Sequence, residues 1–210
     1  MATFDVYGFP DLNKDQVSSA DLAVLNEQCH DLTDRNVLFA GWMVNPSLHG
    51  DSKTHFYTSW TVDNGVSTGC YNLDCDGFVP VNNAPITPGD ILEPTNGTLS
   101  ITIKIFKKKD GDWWLYFGHD NNNLSPVGFW SSSVLTNLAD HANVIAWGGY
   151  TESTIGNPSP AMGNGLEKIQ HLSEISSLLM LMVRAMILHH GLPASFYCQL
   201  IRTATKLVHI

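Results

Sequence analysis

"TLSITIKIFKKKDGDWWLYFGH", residues 98 to 119, decides the fold. Leu99, Ile101, Ile103 and Ile105 alternate with Ser100, Thr102 and Lys104. That period of two turns one face of a strand to a core and the other outward. Lys109-Asp110-Gly111-Asp112 is a turn signal, and the aromatic run "WWLYF" follows it. The stretch reads as a β-hairpin. Its lysines, Lys107 to Lys109, read as a solvated strand end.

The pattern repeats on both sides. "THFYTSWTV", residues 54 to 62, puts Phe56, Thr58, Trp60 and Val62 on one face and His55, Tyr57, Ser59 and Thr61 on the other. "VLFAGWMV" (37–44) is an apolar run broken by Gly41; "PVGFW" (126–130) and "VIAWGG" (144–149) supply further strands. "SSVLTNLADHA" (132–142) fits one short helix, with Ser133 as a candidate N-cap. Several short strands with turn residues between them and a single helix predict an all-β fold, an antiparallel two-sheet β-sandwich. Glycine weakens a strand, so Gly148 and Gly149 beside Trp147 mark either a bend or a place where a ligand lies close.

The character changes after Gly165. "LEKIQHLSEISSLLMLMVRAMILHHG" (166–191) lacks turn residues until its end, and Leu166, Ile169, Leu172, Ile175, Leu179 and Met182 recur at helical spacing. The expected division is a β-sandwich over residues 1–165 and an apolar helical tail over 166–210.

Composition narrows the function. The chain has 210 residues, 43% of them hydrophobic, and 20 acids against 11 bases give a net charge of −9. An acidic chain is a poor partner for nucleic acid, whose binding rests on basic side chains that displace counterions. No segment reaches the ~20 apolar residues that span a bilayer; the nearest, Leu178 to Leu188, is too short and carries Arg184. No signal peptide is visible at the start, "MATFDVYGFP". Cys70 and Cys75 in "GCYNLDC" allow a small disulfide loop or half of a zinc site; no second pair follows, so zinc is the weaker reading. Cys29 and Cys198 are left unpaired by this reading. His49, His55, His119 and His141 are single histidines on loops or strands, and Ser131 to Ser133 lack a Gly-x-Ser-x-Gly context. No cofactor and no metal are expected. Asn96-Gly97-Thr98 and Asn123-Leu124-Ser125 fit the glycosylation acceptor rule, the second weakened by Pro126.

Six stretches, in order, carry a family resemblance: "AGWMVNPSLHGDSKTHFYTSWTVD", "STGCYNLDCDGFV", "GDWWLYFG", "VGFW", "VIAWGG" and "AMGNG". With the opening "ATFDVYGFPDLNKDQVSSADLAV" they cover roughly residues 2 to 165 and resemble the neprosin domain of plant proteins, associated with glutamic peptidases. The resemblance implies two facing antiparallel sheets with a groove across them, a secreted precursor, and endopeptidase activity directed at proline. It also implies a disulfide between Cys70 and Cys75, and two catalytic glutamates on facing strands. One carboxylate would take a proton from water while the other, kept protonated, donates one.

At the two matching positions this chain carries other residues. Phe39 stands before Ala-Gly-Trp, and Tyr150 follows Trp-Gly-Gly. Phenylalanine moves no proton, and tyrosine, with a reference pKa of about 10, is no carboxylate base. No acid lies close to Phe39 on its own strand, since Asp34 precedes it by five residues and Asp51 follows by twelve. Glu152 falls on the same face as Tyr150 and is the substitute candidate, displaced by about 6.6 Å along the strand. The expectation is therefore a catalytically impaired neprosin-domain protein that keeps a peptide-binding groove lined by Trp42, Trp147, Gly148 and Gly149. The alternatives are an active peptidase using Glu152, or a carbohydrate-binding sandwich. The sequence also departs from the family after Gly165, which points to an incomplete gene product.

Overall fold

The computed structural model describes residues 1–28, 31–92 and 99–163. Cys29, Asn96, Cys198 and the whole expected helical tail, 166–210, lie outside the described residues. The strands are β1 (Ala2–Val6), β2 (Gln16–Gln28), β3 (Asp31–Val44), β4 (His55–Thr61), β5 (Cys70–Tyr71), β6 (Phe78–Pro80), β7 (Leu99–Lys107), β8 (Trp113–Gly118), β9 (Ser125–Trp130) and β10 (Val144–Ser153). A one-turn helix, α1 (Pro46–His49), follows β3. Asn45 caps it by accepting from the Leu48 N–H, and Gly50 ends it in the left-handed region at φ 81°.

The strands form two antiparallel five-stranded sheets. The first runs β1-β7-β8-β9-β6 and the second β10-β2-β3-β4-β5. The all-β sandwich predicted by the alternating pattern is the fold observed. The 98–119 stretch folds as the β7–β8 hairpin, closed by the Lys108 N–H donating to the Asp112 carbonyl. Ile101 and Ile103 are fully buried inward, and Lys104 is exposed. Thr102 is also fully buried although it points away from the core. Its hydroxyl pairs with Thr3 at 2.9 Å and donates to Asn121 at 3.2 Å, so polar neighbours cover it.

The core lies between the sheets. Leu22, Val24, Leu38, Ala40, Trp42, Val44 and Phe56 from the second sheet meet Ile101, Ile103, Leu115, Phe117, Val127 and Trp130 from the first. Burying each large side chain contributes about 1.5–3 kcal/mol. Trp42 adds a polar tie across the layers, its indole N–H donating to the Asp5 carbonyl at 2.9 Å.

β3 runs unbroken through Gly41, from Asp31 to Val44. One local expectation is corrected. The segment 132–142 is no α-helix but two separate 3₁₀ turns, Ser132–Val134 and Asn137–Ala139. Ser131 caps the first, accepting from the Ser133 N–H, so the cap lies two residues earlier than read. Asn36, fully buried on β3, fastens the second turn. Its Oδ1 accepts from the Thr136 and Leu138 N–H groups, at 3.0 and 3.3 Å, and its Nδ2 donates to the Asp34 and Val62 carbonyls, both at 3.1 Å. A tertiary anchor that holds the chain residue by residue overrides the weak helical preference of so short a segment.

Candidate functional site

Strand register places the site. β2 pairs with β3 on one side and β10 on the other, and paired residues share a face. On the face turned away from the core, three rows cross β10, β2, β3 and β4. Tyr150, Ser19, Met43 and His55 form one; Gly148, Asp21, Gly41 and Tyr57 the next; Ala146, Ala23, Phe39 and Ser59 the third.

Phe39 and Tyr150 therefore stand on one face of one sheet, where the resemblance implied facing strands. They are two strands and four residues apart, about 16 Å on a flat sheet at ordinary spacings. Both are half-buried. Between them, on the shared strand β2, stands Asp21. Phe39 is opposite Ala23 and Tyr150 is opposite Ser19. Asp21 is thus a diagonal neighbour of both, about 7–8 Å from each in backbone spacing.

Asp21 is held by Tyr57. The phenol donates to Asp21 Oδ2 at 2.6 Å, and Ser19 Oγ lies at 3.5 Å from the same oxygen. Tyr57 is two strands from Asp21, with Gly41 directly between them. This accounts for the glycine: a side chain there would stand in the phenol's path. A Cβ on Gly41 would also come within 2.7 Å of Asp21 Cα and Cβ, and closer still to the Ala20 carbonyl oxygen. Burial first, and then the Asp21 charge, push the Tyr57 phenol well above its ordinary pKa. It stays protonated and remains a donor.

Glu152, the substitute acid of the sequence reading, is exposed and accepts the Tyr150 phenol at 2.6 Å. It sits opposite Val17, one strand over and four residues along from Asp21, about 14 Å away.

Of the expected groove residues, only Gly148 stands in these rows. Trp42 is 1% exposed in the inter-sheet core and cannot line a groove. Trp147 and Gly149 alternate onto the opposite face of β10 from Tyr150. Trp147 is 39% exposed there, and the Met162 thioether packs against the space where Gly149 would carry a Cβ. The strand is continuous through both glycines.

Cys70 and Cys75 are joined in a disulfide, with Cα atoms 6.0 Å apart. The loop they close is clamped to β4: Asn72 Oδ1 accepts from the Thr58 N–H, and the Asn72 N–H donates to the Thr58 carbonyl. Tyr71, on this loop, places its ring 6.5 Å from that of Tyr57. The clamp fixes the far side of the face. Asn123 is exposed just before β9 and donates to Asp120.

His49 and His55, read singly in the sequence, are stacked with ring centroids 4.0 Å apart. His55 also bonds Asp51 through Nε2 at 3.0 Å and the Gly89 carbonyl through Nδ1 at 2.8 Å. Among the described residues no group of three or more His, Cys, Asp and Glu side chains is placed to hold a metal ion, and no helix is long and apolar enough to cross a membrane.

The sequence reading missed Asp21. It lies eighteen residues before Phe39 and reaches it only through register. One signal was present: an acid within "VSSADLAVL", a run of small and apolar residues, is costly in a strand unless it is partnered or used.

The neprosin family model matches residues 14–187, most of the chain. The chain belongs to the neprosin family, a peptidase-like family. The match starts later than the resemblance read from the motifs and runs on past residue 165, into the stretch read as a tail.

Proposed function

We propose that this chain is a peptide-binding member of the neprosin family that does not hydrolyse peptides by two-glutamate chemistry. The observation that carries the reading is the occupancy of the two positions where the resemblance puts glutamates. Phe39 and Tyr150 hold them, on the face that also bears the glycine row. Neither side chain can serve as a carboxylate acid or base. Glu152 is a poor replacement: it is engaged by the Tyr150 phenol and lies six residues along from the level of Phe39. Catalysis by paired acids tolerates little displacement. The sheet face itself is intact, fixed from below by the core and at its far side by the disulfide loop, which suits an extended peptide.

The test pairs an activity assay with a binding assay. The pure chain is incubated at acidic pH with an extended proline-containing peptide, and the same peptide, labelled, is titrated by fluorescence anisotropy. Saturable binding without turnover is expected. Turnover that disappears in Glu152→Gln would establish the substitute acid and end this reading.

A further inference from the structure

His55 is 6% exposed on β4 and has a partner at each ring nitrogen. Nδ1 lies 2.8 Å from the Gly89 carbonyl oxygen and Nε2 lies 3.0 Å from Asp51 Oδ1. A carbonyl only accepts. Asp51 is held below the usual carboxylate range, chiefly by this same bond and then by the Lys53 N–H, so it is ionised and also only accepts. A neutral imidazole offers one N–H and one lone pair, and would set that lone pair against one of the two oxygens. Only the imidazolium, with an N–H at each nitrogen, makes both bonds at once.

The surroundings admit one such charge. From α1 the His49 ring stacks on His55 at 4.0 Å, and its Nε2 is buried without a hydrogen-bond partner. Burial first, and then the His55 charge, keep the His49 pKa down at about 4, so His49 stays neutral beside it. Asp74 on the disulfide loop acts on His49 through charge alone, and the Lys53 ammonium acts likewise on Asp51. Asp90, next to Gly89, is turned to the Thr87 N–H at 2.8 Å. The two partners of His55 differ in freedom. The Gly89 carbonyl belongs to a segment fastened to β4 by backbone bonds from Gly89 to Phe56, from Phe56 to Asp90 and from Leu92 to Thr54. The Asp51 side chain is 41% exposed and can turn to water. An imidazole that has lost one proton keeps its N–H on Gly89 and presents a bare Nε2 to the carboxylate. We propose that His55 is a proton-operated clip: charged, it fastens the 51–54 turn to the 85–92 segment, and on losing a proton it lets the Asp51 side go. Ser52 and Thr54 remain bonded to the Leu12 and Tyr7 carbonyls, so the release is local and the sandwich stays folded. The clip stands at the β4 end of the row Tyr150, Ser19, Met43 and His55, and it ties the firmness of that edge to the acidity of the medium. It operates whether or not the face binds a peptide.

The test reads the ring directly. Proton–nitrogen correlation spectra of the full chain are recorded at about pH 5 and about pH 8, the span over which histidines change charge. The His55 signals are assigned by their loss in His55→Gln. Both ring nitrogens are expected to carry hydrogen at the lower pH, and Nδ1 alone at the higher. The Lys53 N–H shares Asp51 Oδ1 with His55, at 2.9 Å. Its protection from hydrogen exchange, corrected for the intrinsic effect of pH, should fall at least about tenfold between the two conditions, the worth of one hydrogen bond to a charged group. In Asp51→Asn the amide can donate to a neutral Nε2 and still accept from Lys53, so the turn should stay equally protected at both pH values. A single ring N–H at the lower pH, two at the higher, or equal wild-type protection of Lys53 at both overturns the clip. So does an Asp51→Asn turn that loosens at either pH. The wild-type readings decide the matter even if a variant fails to fold.

Discussion

The Tyr57 phenol crosses the backbone of Gly41 to donate to Asp21 at 2.6 Å, binding β4 to β2 over the top of β3. The bond is buried on the tyrosine side, where Tyr57 is 3% exposed. Hydrogen bonds to a charged group contribute about 1.5–3 kcal/mol. Tyr57→Phe is expected to lower stability by that amount in urea unfolding, with an unchanged m-value. A loss below about 0.5 kcal/mol would mean that the phenol is not holding the carboxylate.

Gly41→Ala tests the same crossing from beneath. The new Cβ meets Asp21 Cα and Cβ at 2.7 Å, and the nearest atoms are backbone, which cannot swing aside. Overpacking of this kind costs about 3 kcal/mol. The urea midpoint should fall by more than in Tyr57→Phe, because strand separation is added to the lost bond. A variant as stable as wild type would show that β2 and β3 are not closely apposed at this row.

Asn36→Ala should be among the most damaging single changes away from this face. The amide satisfies two backbone N–H groups of the 136–138 turn and two backbone carbonyls at once. Each buried group left without a partner costs about 1–3 kcal/mol. Allowing for relaxation, a loss of about 3 kcal/mol is expected in denaturant unfolding. Hydrogen exchange should quicken first in residues 132–140, which the side chain fastens to β3.

His49 sets a pH dependence. Burial first, and then the neighbouring His55, pull its pKa down to about 4 from 6.5. The unfolded chain then binds more protons than the folded one between these values, so stability rises with pH across that window and falls as pH drops from about 6.5 toward 4. Asp51, held below its usual value chiefly by the His55 hydrogen bond, adds a loss at lower pH, as it is protonated on passing through its folded pKa. Melting temperature measured against pH should decline over the upper window in wild type and decline less in His49→Gln. Identical profiles would remove His49 as the cause.

What the sequence made legible was set by local chemistry. The Ile101-Ile103-Ile105 alternation and the Lys108–Asp112 turn are written within a dozen residues, and they led directly to a two-sheet body. The spacing of Cys70 and Cys75 allowed a disulfide loop or half of a zinc site, and the family resemblance implied the disulfide that is observed. The 132–142 segment misled because its shape is dictated by Asn36, a hundred residues earlier in the chain for its nearest partner, Thr136. Trp42 was expected in the groove, yet alternation along β3 sends it to the face opposite Phe39 and Gly41, into the core. Asp21 escaped notice for the complementary reason. Its relation to Phe39 and Tyr150 exists only once three strands are laid side by side, and no count along one strand reveals it.

The β10–β2 pairing joins residues 144–153 to residues 16–25. One strand of this face is thus contributed by chain synthesised more than a hundred residues after the strand it pairs with. A nascent polypeptide that has emerged only as far as β9 must leave the edge of β2 bare, a template for unwanted pairing with other chains. Assembly of this surface is consequently a late checkpoint of biosynthesis, and nascent chains stalled before Val144 should be the aggregation-prone ones.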